Sequence, residues 1–220
     1  MKLSKSLESS LKKDDLKNLM VGVGEVGLDS IMESGAWRDI PILSSLLSGI
    51  KTIGNVRDAL FIKKLLSFLT ELSDIPIEKR QKMIDSIESS EDYQLNVGEK
   101  LIYIIERSED HFSSKIIAVF FAAFINEQIT YTQFLRISRI IDNMYLGDFL
   151  SFANESSDCN LDSSLSNTGL IDLYFDSVIV EDNDDYERSD KYVTSGGDAY
   201  FEVSEIGAVI RKVLHDKIYT

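Results

Sequence analysis

The usual proton carriers and soft metal ligands are scarce in this chain: His111 and His215 are its only histidines and Cys159 its only cysteine, among 220 residues. Two histidines and one thiol cannot build a multi-histidine site or a thiolate cage. His111 stands beside Glu109 and Asp110, a set that could pass a proton, but neighbours in one turn do not converge on a substrate. His215 falls in the final turn of a helical pattern, where an imidazolium meets the negative end of the helix dipole, a structural role. Cys159 follows Asp158 in a polar stretch with no cation beside it to hold a thiolate. No catalytic residue, no cofactor-binding residue and no metal ligand is therefore assigned, and the chain is expected not to be an enzyme.

Glycines and carboxylates offer three further patterns. Gly22-Val-Gly24-Glu-Val-Gly27 spells G-x-G-x-x-G, which cradles a dinucleotide only between a strand and a helix of a βαβ unit. Here a charged amphipathic pattern precedes it and helical sequence follows it beyond Pro41, so close helix contact or a turn is the expected use. The acidic run at 181–190 lacks the ligand order of a calcium loop and is read as solvated. Gly196-Gly197-Asp198 is read as a turn before a strand.

Charge narrows the partners. The net charge is −14, and residues 153–220 hold 15 Asp/Glu against 5 Lys/Arg, leaving 22 against 18 for the rest. An acidic second part repels phosphate backbones, so nucleic acid is disfavoured and a protein partner is expected. Residues 38–72 are the one sizeable basic stretch outside the N-terminal lysines, with Arg38, Lys51, Arg57, Lys63 and Lys64 against Asp39, Asp58 and Glu71. They read as a solvated helix face, with docking onto anionic lipid or an acidic partner as the sharper alternative. A lone cysteine fits a reducing compartment, and neither a signal peptide nor an apolar run of roughly 18 residues is present, so a cytoplasmic location is expected.

The elements that must position these residues are mainly helical. Residues 116–125 are unbroken apolar sequence, too short for a bilayer and suited to a helix at 112–126 buried on all sides, with Phe120 and Phe124 in the core. Before it, the spacing predicts a thin amphipathic helix over 3–20, a helix begun by Asp39 and Pro41, and amphipathic helices over 57–72, 78–88 and 98–108. After it, Thr130 and Gln133 form a capping box for a helix reaching about Phe152. A shift of 55 residues lays the helical hairpin around Ser73 over the one around Gln128, suggesting that two hairpins pack together. The expected fold is mainly α, a multi-helical domain at 1–152 joined to a small α+β module at 153–220, whose start is marked by Ser, Asn and Asp. In that module a short helix at 161–170, strands at 171–180 and 200–203 and a helix capped by Ser204 are expected.

Asn167-Thr-Gly169-Leu170-Ile171 and Tyr200-Phe-Glu-Val-Ser-Glu-Ile-Gly207-Ala resemble the tail of bacterial winged-helix modules over about 60 residues. The resemblance implies a winged-helix-like fold and, in such modules, a basic helix in the DNA major groove. This chain departs there, with Asp158 and Asp162 and no Lys or Arg in the stretch before Gly169, which turns the expectation from DNA to protein contact. The helical part is loosely similar to TerB-like helical domains of tellurite resistance, without their acidic Asp-Gly turn. The expectation is thus a non-enzymatic bacterial interaction or regulatory protein whose acidic module contacts a protein. The alternatives are a winged-helix transcriptional regulator and a membrane-associated phage-defence effector acting through residues 38–72.

Overall fold

A computed structural model describes residues 3–24, 35–48, 56–89, 96–154, 163–182 and 192–218. The chain divides into two compact units, Met1–Leu146 and Gly147–Thr220. The first is helical throughout its described residues and the second is a small α+β module.

The first unit opens with α1 (Leu3–Leu11) and α2 (Leu16–Gly24). One helix over 3–20 was the expectation; the chain breaks at Lys12–Asp15 instead, where a buried guanidinium takes the last carbonyl of α1 and that of Lys13 beyond it. Arg80 is only 2% exposed. Its Nε donates to the Ile75 carbonyl at 2.9 Å, Nη1 to Leu11 at 2.5 Å and Nη2 to Lys13 at 3.0 Å. Leu7, Leu11, Leu16 and Met20 are buried, so both helices belong to the core.

Gly35 introduces a 3-10 turn at Ala36–Asp39, and α3 (Pro41–Leu47) follows. Asp39, expected as the N-cap of α3, is not: Ile40 holds that position without a side-chain bond, and Pro41 occupies the first turn. The cap comes from α1, whose buried Ser10 hydroxyl accepts from the Ile42 N–H at 2.9 Å and donates to the Ser6 carbonyl. An orphan amide at a helix start is thus satisfied across an interface. The Ser6 and Ser45 hydroxyls bond one another at 2.6 Å beside it.

Next come α4 (Val56–Leu72), α5 (Ile77–Glu88) and α6 (Val97–Arg107). On α4 the stripe expected from spacing, Phe61, Leu65, Phe68 and Leu72, is buried at the last three and half-buried at Phe61, with Ile62, Leu66 and Leu69 buried beside it. Asn96 caps α6, and Glu8 of α1 accepts from the Gly98 N–H at 3.1 Å. The helices approach so closely that a Cβ at Gly98 would stand 2.3 Å from the Ser4 carbonyl oxygen. Alanine forms helix better than glycine by about 1 kcal/mol, yet Gly98→Ala is expected to destabilise by about 1 to 3 kcal/mol through overpacking, read as a lower urea midpoint.

The apolar run forms α7 (His111–Ile125), capped by the Asp110 carboxylate on the Ser113 N–H at 2.8 Å. It packs most extensively on α4. Its end is closed by Glu127 at φ 61°, with the Gln128 N–H on the Ala123 carbonyl and the Glu127 N–H on Phe124, the left-handed closure that usually selects glycine. α8 (Tyr131–Asn143) carries the Thr130 and Gln133 capping box. The first helices of the two similar hairpins, α4 and α7, therefore lie against one another.

The helix expected to reach Phe152 stops at Asn143, where Met144 is extended, and resumes as α9 (Leu146–Asn154). The two units divide between Leu146 and Gly147, at the start of α9 and ahead of the composition change at Ala153. In the second unit a 3-10 turn at Ser163–Leu165 stands where a short helix at 161–170 was expected. The hydroxyls of Ser166 and Thr168 donate to the Ser163 and Leu165 carbonyls, a local alternative to helix, and Gly169 at φ 83° turns the chain.

The single strand expected at 171–180 is two, β1 (Ile171–Phe175) and β2 (Ile179–Asp182), and their partners are β3 (Tyr192–Ser195) and β4 (Ala199–Val203). β1 pairs with β4 and β2 with β3, both antiparallel. Three residues on each side, 176–178 and 196–198, separate the two ladders, so the register carries through without a net bulge. Gly196 and Gly197, at φ 83° and 80°, make this interruption in the ribbon instead of the turn expected from them. A Cβ at Gly196 would lie 2.1 Å from the Ser177 carbonyl oxygen.

The closing helix is α10 (Glu205–Ile218). Ser204 caps it as expected: its hydroxyl accepts from the Gly207 N–H at 3.0 Å and donates to the Gly169 carbonyl at 2.8 Å. Ile206, Ile210, Val213 and Leu214 are buried. Arg211 joins α10 to α9, its Nε donating to the Phe152 carbonyl at 3.1 Å and its guanidinium lying 4.5 Å from the Phe152 ring centre.

Candidate functional site

The residues that sequence chemistry singles out do not assemble. His111 is exposed at the first position of α7, 4.1 Å from the Phe112 ring, and His215 lies in the last turn of α10. They belong to different units. Cys159 and residues 183–190 fall outside the described residues. Gly22 and Gly24 end α2, so the fingerprint follows a helix and not a strand, and its remaining residues lie outside the described ones. Among the described residues no three His, Cys, Asp or Glu side chains gather as a metal site.

The basic stretch at 38–72 is partly spent on the fold. Arg57 pairs with Glu106 at 2.8 Å. Lys64 donates to the Glu106 carbonyl at 3.1 Å and to the Ser108 carbonyl, closing α6, and burial pushes its ammonium pKa below the ordinary lysine value. Arg38 lies over the Trp37 ring, Lys63 is exposed, and Lys51 is outside the described residues. Among the described residues no helix is long and apolar enough to cross a membrane.

A shallow cleft of about 50 Å³ lies between α6 and α8, lined by Lys100, Tyr103, Arg107, Arg139 and Asp142 over Ile104 and Leu135. Lys100 and Arg107 flank the Tyr103 ring at 5.5 and 5.6 Å. The Asp142 carboxylate is taken by Arg107 at 2.7 Å, which holds the guanidinium pKa above its ordinary value. The cleft thus brings together cations, a ring and the Ser138 hydroxyl, which donates to the Phe134 carbonyl, and it was not anticipated from the sequence.

The most unusual surface is the ribbon of the second unit. Residues opposite one another in an antiparallel ladder share a face. One face of β1 and β4 therefore carries Ile171 with Val203, Leu173 with Phe201 and Phe175 with Ala199. The other carries Asp172 with Glu202 and Tyr174 with Tyr200, whose rings stack at 5.6 Å. Ile171 is buried at the base, but exposure rises outward to 46% at Leu173 and 66% at Phe175. Val178 in the interruption and Ile179 and Val180 beyond it are also more than half exposed. An isolated two-stranded ribbon is marginal in water, and a contiguous exposed apolar face marks an interaction surface. The alternation in Ile171-Asp-Leu-Tyr-Phe175 was the available signal; the sequence alone did not say that Leu173 and Phe175 would stand exposed.

The fold and this ribbon define a two-unit, mainly α protein carrying a small α+β module with an open apolar β face. No protein-family model, curated protein or solved structure matches the chain.

Proposed function

We propose that this is a non-enzymatic interaction or regulatory protein of the bacterial cytoplasm, whose acidic C-terminal module docks a protein partner. The observation that carries the reading is the apolar face running from buried Ile171 to exposed Leu173 and Phe175. Burying such a face is favourable by about 25 cal/mol per Å² of apolar surface, and the docked partner gains it. The like-charged pair Asp172 and Glu202 on the opposite face works against a nucleic-acid backbone.

The test places a photo-crosslinking benzoylphenylalanine at Phe175 in the native cell. A discrete adduct above the chain's 24.8 kDa is expected, lost when Leu173 is changed to Glu. An absence of protein adducts, or a substrate turnover abolished by changing His111 or His215, would overturn the reading. A mobility shift on random DNA with steep salt dependence would favour the nucleic-acid alternative instead.

A further inference from the structure

This inference rests on the docking reading above and names the partner's chemistry and its mode of attachment. The backbone bond from the Asp176 N–H to the Asp198 carbonyl and that from Ser204 to Leu170, each 3.0 Å, set the phase of the ladder. In an antiparallel pair, hydrogen-bonded and non-hydrogen-bonded positions alternate. Even-numbered residues of β1 therefore bond β4, while the N–H and C=O groups of Ile171, Leu173 and Phe175 point away from it, along the free edge. Among the described residues, β1 pairs with β4 alone.

Such an edge is a template for an added strand. The charge on the ribbon selects what can be added. Residues 171–182 and 192–203 carry Asp172, Asp176, Glu181, Asp182, Asp198 and Glu202 and no Lys or Arg. Asp172 and Glu202 stand directly opposite one another, a like-charge pair that is unfavourable until a cation joins it. A second copy of the same ribbon would add more carboxylates at the same place, whereas a basic segment relieves them.

We propose that the free edge of β1 accepts, as an added strand, an extended segment of a partner protein in which apolar and basic residues alternate. The apolar side chains continue the face of Leu173 and Phe175, and the basic ones meet Asp172 and the ring of Tyr174 on the other face. Main-chain bonds supply register and the alternation supplies selectivity. The side of β1 is favoured over that of β4 because Leu173 and Phe175 are open, while Phe201 and Val203 are half-buried.

The experiment uses the full chain and an end-blocked synthetic peptide of alternating lysine and valine, with affinity read by fluorescence anisotropy. Its counterparts are the glutamate and valine peptide and a lysine and valine peptide N-methylated at its valines, whose N–H groups would face β1. The lysine peptide is expected to bind at least about tenfold more tightly than the glutamate peptide, with the difference shrinking as salt rises. Methylation is expected to remove binding, and the D172K/E202K double variant to reverse the preference. Equal affinity for both peptides, undiminished binding of the methylated one, or no binding of the lysine peptide would each overturn strand addition by a basic segment. An adduct at Phe175 alongside such a failure leaves protein docking standing, whereas peptide binding without an adduct in the cell removes that reading and keeps the edge chemistry.

Discussion

Phe121→Ala is expected to be among the most damaging single truncations in the helical unit, costing about 3 to 5 kcal/mol. Phe121 is fully buried, and its ring centre lies 5.8 Å from Phe68 on α4, 5.9 Å from Phe124 and 5.1 Å from Phe134 on α8. Tyr131 extends the cluster, 5.4 Å from Phe124 and 6.0 Å from Phe134. Removing the central ring opens a cavity between three helices and forfeits aromatic pairs worth roughly 0.5 to 1.5 kcal/mol each beyond burial. Urea titration should show a lower midpoint with an unchanged slope; an unmoved midpoint would mean that the core is centred elsewhere. Phe120, also fully buried, is expected to cost about the same from the transfer and cavity terms.

The second large effect is expected at Arg80. Arg80→Met leaves the carbonyls of Ile75, Leu11 and Lys13 without the donor that now serves all three. A buried acceptor left unsatisfied costs about 1 to 3 kcal/mol, so a loss of about 3 to 5 kcal/mol is expected after partial relief by water. Arg80→Lys keeps the charge but not the fork, and should recover less than half of the difference. Amide exchange is expected to speed first at the junction of α1 and α2, where the chain loses its anchor. Burial pushes the Arg80 guanidinium below its ordinary pKa, with Asp14 and Glu78 opposing, but a guanidinium stays protonated in proteins. The stabilisation is therefore expected to be flat from about pH 5 to 9, since neither folded nor unfolded chain changes its proton there. A lysine variant as stable as the parent would show that one bond, and not the fork, carries the effect.

Both effects bear on how much could be read before the structure. The helix at 111–125, its burial and the caps at Thr130 and Ser204 were legible, because an apolar run and a cap are chemistry within four residues of chain. Arg80 was not, because in sequence it is one more charge on an amphipathic helix, and two of its three partners, Leu11 and Lys13, lie 69 and 67 residues away. The same reason hid the Ser10 cap of α3 and the close approach at Gly98, where the signal is a distant backbone and not a neighbouring residue. Periodicity also joined elements that the fold separates: α1 with α2, α8 with α9, and β1 with β2.

The sequence by itself determined the mainly helical class and the acidic α+β tail, both consequences of composition and short-range pattern. Tertiary structure decided which apolar residues found cover. Phe121 and Leu173 are alike in hydropathy, yet one is enclosed by three helices and the other stands open on the ribbon, because burial depends on what the rest of the chain brings to a residue and not on the residue alone.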